Sequence, residues 1–225
     1  MRILGRRLLA LVCGMVITAA GCGNSEPLVG SDAVPEAEVE TTEVVDGETA
    51  KASSVADASE KLPVYEYPDK TLLLYEVNKY LIENVATNYE PADVSIPVIT
   101  VTTTDDSNPD DIVVYGDFYI DNYNLNVNIL ECESGGDYPG AMHLKKTDTG
   151  YEVTSFDVCK DGSSFDSSAK EIFGEHYDDF MKVFQTIQGT SREEQRKQII
   201  SEYVKTNNLS ITAFQDYGWD PVMLD

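Results

Sequence analysis

A chain of 225 residues with 42% hydrophobic side chains is long enough for one domain of ordinary size plus extensions. Its 40 acidic residues against 16 basic ones give a formal charge of −24. Such a surface repels nucleic acid and anionic headgroups, so the partners that charge can steer are a basic protein or peptide, a cationic small molecule or a loosely held divalent metal.

The first stretch, MRILGRRLLALVCGMVITAAGC, has a basic start (Arg2, Arg6, Arg7), an apolar run from Leu8 to Ala20, and then Gly21-Cys22. This is the pattern of an export signal. The apolar run falls short of the roughly 20 residues a spanning helix needs. Its end, Ala19-Ala20-Gly21-Cys22, resembles the lipobox of bacterial lipoproteins, with Ala in place of the more usual Leu at the first position. The resemblance implies cleavage between Gly21 and Cys22 and a diacylglycerol-modified Cys22 as the first mature residue. Two acyl chains make a stable anchor where one does not. Removal of residues 1–21 takes three arginines with it and leaves 13 basic against 40 acidic residues, a net charge of −27.

Residues 22–62 carry Glu, Val, Thr, Ala, Ser and Gly with no aromatic and no sustained period, which predicts a disordered acidic tether. The remainder, 63–225, reads as a single globular α+β domain with a helical C-terminal extension. Asp69 reads as the N-cap of a helix on which Leu74, Val77, Leu81 and Val85 recur at helical spacing, and Pro91 closes it. Ile96 to Thr104 is β-branched throughout and predicts the first strand. The acidic turn Asp105 to Asp111 follows, and its spacing matches no calcium-binding loop.

From Ile112 to Gly162 the alternating, aromatic-rich pattern predicts a four-stranded antiparallel meander, making a curved sheet of about five strands with the preceding one. A hairpin turning at Asn122-Tyr123 would oppose Ile120 to Leu125 and Phe118 to Val127, gathering the apolar residues on one face. A second hairpin turning at Asp148-Thr149-Gly150 would oppose Met142 to Phe156, Leu144 to Thr154, Lys146 to Glu152, His143 to Ser155 and Ala141 to Asp157. Ser134 to Gly140 would join the two, with a bulge or bend and a register that the pattern leaves open.

About three helices are expected after Gly162. Ser168 with Glu171 reads as a capping box and Gly174 as a stop. Tyr177, Phe180, Met181, Phe184 and Ile187 form the apolar stripe of a second helix. Thr190 with Glu193 opens a third, whose buried side is Ile199, Ile200, Tyr203 and Val204. Arg192, Arg196, Lys197 and Lys205 read as a solvated basic face. The tail, with Phe214, Tyr217 and the chain's single tryptophan, Trp219, is apolar enough to pack back on the domain.

No Ser-His-Asp arrangement, phosphate loop or zinc spacing is present in the sequence. No cofactor, metal or nucleic acid is expected. The polar face of the meander, with Tyr115, Asp117, Tyr119 and Asn128, together with His143, is the candidate ligand face. His143 beside Asp117 or Asp157 has the chemistry of a general acid–base pair, because imidazole titrates near neutrality. Cys132 and Cys159 are expected as free thiols, held about two strand spacings apart by the strand starting at Pro139.

The block SGGDYPGAMHLKKTDTGYEVTSFDVCKDGSSFDSSAKEIFGEHYDDF, with QDYGWDP, resembles a group of secreted or lipid-anchored proteins of anaerobic gut Firmicutes, which implies a location but no activity. The helix followed by a meander is also similar to cystatin-like and nuclear-transport-factor-like cone folds, which host both binders and enzymes. The expectation is a non-catalytic module, lipid-anchored to the outer face of the cell membrane, that binds a small molecule or an envelope protein. The alternative is a cone-fold isomerase or lyase using His143 with a nearby Asp.

Overall fold

The computed structural model describes residues 61–187 and 190–225. The signal sequence, Gly21, Cys22 and nearly all of the tether lie outside the described residues. The fold is α+β. Helix α1 (Leu73–Tyr80) runs on through a π-turn at Leu81–Val85 and a 3₁₀ turn at Ala86–Asn88. Strands β1 (Val94–Asp105), β2 (Ile112–Asn126), β3 (Ile129–Thr147) and β4 (Gly150–Val158) follow in antiparallel sequence. Helices α2 (Phe165–Phe173), α3 (Tyr177–Ile187) and α4 (Thr190–Thr206) come next, then the short strands β5 (Ala213–Gln215) and β6 (Val222–Met223).

The sheet is mixed, where an antiparallel one was expected: β5 lies parallel to β3, pairing Ile129 to Glu131 with Ala213 to Gln215. The far edge of the 19-residue β3 is therefore shared, β5 taking its start and β4 the stretch from Gly140 to Thr147.

Side chains on β2 alternate between two covered faces. Ile112, Val114, Phe118 and Ile120 pack with Met142 and Leu144 against Val77, Leu81 and Val85 of the first helical segment. The opposite face carries Tyr115, Asp117, Tyr119, Asp121 and Tyr123 and lies under α2 to α4. There Tyr123, Val94 and Ile96 share a core with Ile200 and Tyr203 of α4 and Phe214 of β5. Further along, Cys159, Ala169, Phe173 and Phe180 form a smaller core, with the Phe173 and Phe180 rings stacked at 3.8 Å.

Several local expectations are corrected. Asn122-Tyr123 is no hairpin loop; β2 continues to Asn126 and turns at Val127-Asn128, so Ile120 opposes Gly136 and Phe118 opposes Tyr138. Asn122 is instead a buried polar joint, accepting from Ser95 Oγ at 2.6 Å and donating to the Ala86 carbonyl at 3.1 Å. Ser134 to Gly140 is the middle of β3 rather than a join, and Ile112 to Gly162 holds three strands, not four. At Gly135 a β-carbon would lie 2.3 Å from Asp121 Oδ1 and 2.6 Å from the Ile120 carbonyl, so the glycine is there for close approach.

The β3–β4 hairpin keeps Met142 opposite Phe156, His143 opposite Ser155 and Ala141 opposite Asp157. A bulge at His143/Leu144 then shifts the rest by one, so Leu144 opposes Val153 and Lys145 opposes Glu152. Ser168 lies inside α2 rather than capping it. Its hydroxyl donates toward the Ser164 and Phe165 carbonyls and accepts from Lys160 N–H. Cys132 and Cys159 are free, and their separation has a different cause from the one expected. Cys132 opposes Tyr123 near the start of β3, whereas Cys159 N–H bonds the Pro139 carbonyl far along that strand.

Candidate functional site

The hydrophobic stripe of α4 does not stop at Ile199. Continued back at helical spacing it passes through Arg196 and Arg192, and both side chains turn down onto the sheet. Arg196 is 5% exposed. Its Nη1 and Nη2 bond both oxygens of Asp216, at 2.7 and 2.6 Å, while Nε lies 3.0 Å from Asp121 Oδ2. The Tyr123 hydroxyl accepts from Arg196 Nη2 at 2.9 Å and donates to Asp121 Oδ2 at 2.9 Å. Below the guanidinium, the Phe214 ring centre is 4.7 Å away. Burial works against the Arg196 charge. The bonds to Asp216 and Tyr123, with Asp121 beside them, outweigh it and hold the group charged well above its ordinary range.

One turn earlier, Arg192 bonds Asp117 through Nη2 and Asp137 through Nη1 at 2.7 Å, with Tyr119 under it at 4.5 Å. Asp117 is 2% exposed. Burial, followed by the neighbouring Asp137, pushes its carboxyl up to about 8 in spite of Arg192. Burial likewise raises Asp121. A fork-shaped guanidinium suits such bidentate contacts where an ammonium would not.

The residues of the expected ligand face are thus divided. Tyr115, Asp117 and Tyr119 lie under the helices, with Tyr115 against Phe173 and His176. Asn128 sits in the β2–β3 turn and donates to Thr212 Oγ1 at 2.6 Å. His143 Nδ1 is 2.8 Å from Asp111 Oδ1 and its Nε2 is 3.5 Å from Asp157 Oδ2. His143 and Asp157 are therefore brought together, Asp117 is engaged elsewhere, and Asp111 joins from the acidic turn. The three described cavities do not include His143.

Asp216 is the base of a loop in the tail whose apolar residues were expected to pack back on the domain. Phe214 does pack, at 1% exposed, but Tyr217 is 97% and Trp219 75% exposed. The loop is nonetheless fixed: Trp219 N–H bonds the Asp216 carbonyl at 3.1 Å, and Gln215 Nε2 donates to the Trp219 carbonyl at 2.6 Å. Gly218, at φ +80°, supplies the left-handed residue that the turn requires. Beside the loop lies a groove of about 230 Å³ lined by Glu131, Cys132, Glu133, Gln215, Asp216, Tyr217 and Gly218.

No family model, curated protein or solved structure matches this chain. The site therefore stands on its own geometry.

A second concavity, about 420 Å³, lies between α1 and the β3–β4 hairpin, with Glu76, Glu83, Glu152, Lys79, Tyr80 and Tyr151 on its walls. Three of its four charges are already paired: Lys79 with Glu76 at 3.6 Å, and Glu152 with Lys145 at 3.0 Å. The signals for Arg192, Arg196 and the loop were present in the sequence, as an apolar stripe that continues into arginine and as Tyr-Gly-Trp between two aspartates. Neither reveals its partner without the fold.

Proposed function

We propose that the protein is a lipid-tethered, non-catalytic binding module of the cell envelope whose Tyr217–Trp219 loop docks a basic segment of an envelope protein. The observation that carries this reading is the exposure of the only tryptophan and a neighbouring tyrosine on a turn fixed by its own hydrogen bonds and by the Arg196–Asp216 bidentate pair. Aromatic side chains on a preorganised loop lose little freedom on binding and dominate interface energetics. Glu131 and Glu133 in the adjoining groove, with Asp220 next to Trp219 in the chain, favour Lys or Arg, which also stack on aromatic faces. The overall charge of −24 adds steering of the same sign and disfavours anionic lipid or nucleic acid.

Trp219 makes the test direct, since its fluorescence reports on the site alone. An oligo-arginine peptide is expected to perturb that fluorescence with an affinity that falls as salt rises, and an oligo-glutamate peptide to leave it unchanged. By calorimetry, the Tyr217→Ala/Trp219→Ala double variant should bind the basic peptide roughly tenfold or more weakly. Equal affinity of the double variant would remove the loop as the site and turn attention to the α1 concavity. The tether is tested separately: Cys22→Ser should shift the protein from the membrane to the soluble fraction.

A further inference from the structure

We propose that Asp117 and Asp137 hold a single proton between them under Arg192, and that this shared proton is a pH-sensitive latch for the first turn of α4. The geometry has three parts. Asp117 on β2 opposes Pro139, and Asp137 on β3 opposes Tyr119, so the two carboxyls are diagonal neighbours on the face beneath α4. Arg192 takes one oxygen from each, Oδ2 in both cases. The other two oxygens, Asp117 Oδ1 and Asp137 Oδ1, are both buried and have no hydrogen-bond partner, and Arg192 gathers the two carboxyls onto one guanidinium.

Two buried carboxylate oxygens without donors are unfavourable, and two adjacent negative charges beneath one guanidinium are more so. One proton placed between them satisfies both oxygens and leaves one negative charge opposite one positive charge. The surrounding groups do not supply an alternative donor. From β2 itself come Tyr115 and Tyr119, the latter under Arg192, and from β1 the neutral Thr100, whose hydroxyl lies 3.3 Å from Gln195 of α4. His176, from the turn between α2 and α3, packs against Tyr115, with ring centres 5.0 Å apart. Asp121 and Asp216 are gathered by Arg196.

The direction of the effect follows from the raised Asp117 carboxyl. Its ordinary value is 3.8 and burial with Asp137 lifts it to about 8. The folded chain therefore keeps a proton that the unfolded chain releases in mild acid. The stabilisation is fully present below the ordinary value, and falls away as pH rises through the folded value. This is opposite to a carboxylate held by a simple ion pair.

The test follows the carboxyl carbons of Asp117 and Asp137 by ¹³C NMR in the wild-type protein, which requires no variant to fold. The expected result is one titration step of the pair in strong or mild acid and a second near neutral to mildly alkaline pH. Hydrogen exchange of the amides in the first turn of α4 should accelerate across that second step. In parallel, the urea midpoint of wild type should fall between about pH 6 and about pH 9 by more than that of Asp117→Asn, whose amide stands in for the protonated acid. If both carboxyls titrate completely in acid, or the first turn of α4 exchanges at the same corrected rate throughout, there is no shared proton and no latch.

Discussion

Val127 holds the first position of the β2–β3 turn with φ 57° and 91% of its surface exposed. A β-branched residue in the left-handed region carries a steric cost of about 1–2 kcal/mol, which glycine does not. Val127→Gly should therefore raise stability by about 1 kcal/mol, less the extra freedom of glycine in the unfolded chain. An unchanged or lower urea midpoint would show that the turn is unstrained. The same feature explains why the turn was not legible: Asn122-Tyr123 puts asparagine at the first turn position and Val127-Asn128 puts a β-branched residue there, yet burial of Asn122 and Tyr123 in two hydrogen-bonded networks decides the matter. Arg196 is the opposite case, a charge in a core position. Arg196→Met should cost about 3–5 kcal/mol, because Asp121 is left buried without its cation. A loss below about 1 kcal/mol would mean that the network contributes little.

Among the elements, α1 was the most legible, since Val77, Leu81 and Val85 at helical spacing are all buried against the sheet. Its π-turn at Leu81–Val85 keeps Leu81 and Val85 on that face. Leu81 is fully buried, and Leu81→Ala is expected to destabilise by about 2–5 kcal/mol in denaturant titration. The α3 stripe was also legible in Phe180 and Ile187, both buried. The extent of β3 was not. Its central Gly135-Gly136 looks like a breaker locally, but the space beneath Gly135 is filled by Asp121 and the Ile120 backbone from the neighbouring strand. The loop of Tyr217 and Trp219 departs from expectation for a related reason: hydrophobicity predicts burial on average, and these two side chains are exposed on a turn that hydrogen bonds hold.

For the molecule as a whole, charge is the dominant global property. With 40 acidic residues against 16 basic ones, self-repulsion opposes the compact state, while the Arg192 and Arg196 pairs are largely hidden from solvent. Raising sodium chloride from about 0.01 M to about 0.5 M at neutral pH should therefore raise the melting temperature, since screening shortens from about 30 Å to a few ångströms and acts on exposed charges first. A falling melting temperature would indicate that exposed ion pairs outweigh the repulsion.

The sequence by itself determined the α+β class, the faces of α1 and α3, part of the β3–β4 register and the sign of the surface, because each is carried by local periodicity or by composition. Tertiary structure alone decided the long β2–β3 hairpin, the parallel docking of β5, the burial of two arginines and the exposure of Trp219. Each of these depends on a partner far away in the chain: Asp117 to Arg192 spans 75 residues and Tyr123 to Arg196 spans 73. A buried charge is stable only where its counter-charge arrives, and no local window of sequence contains both.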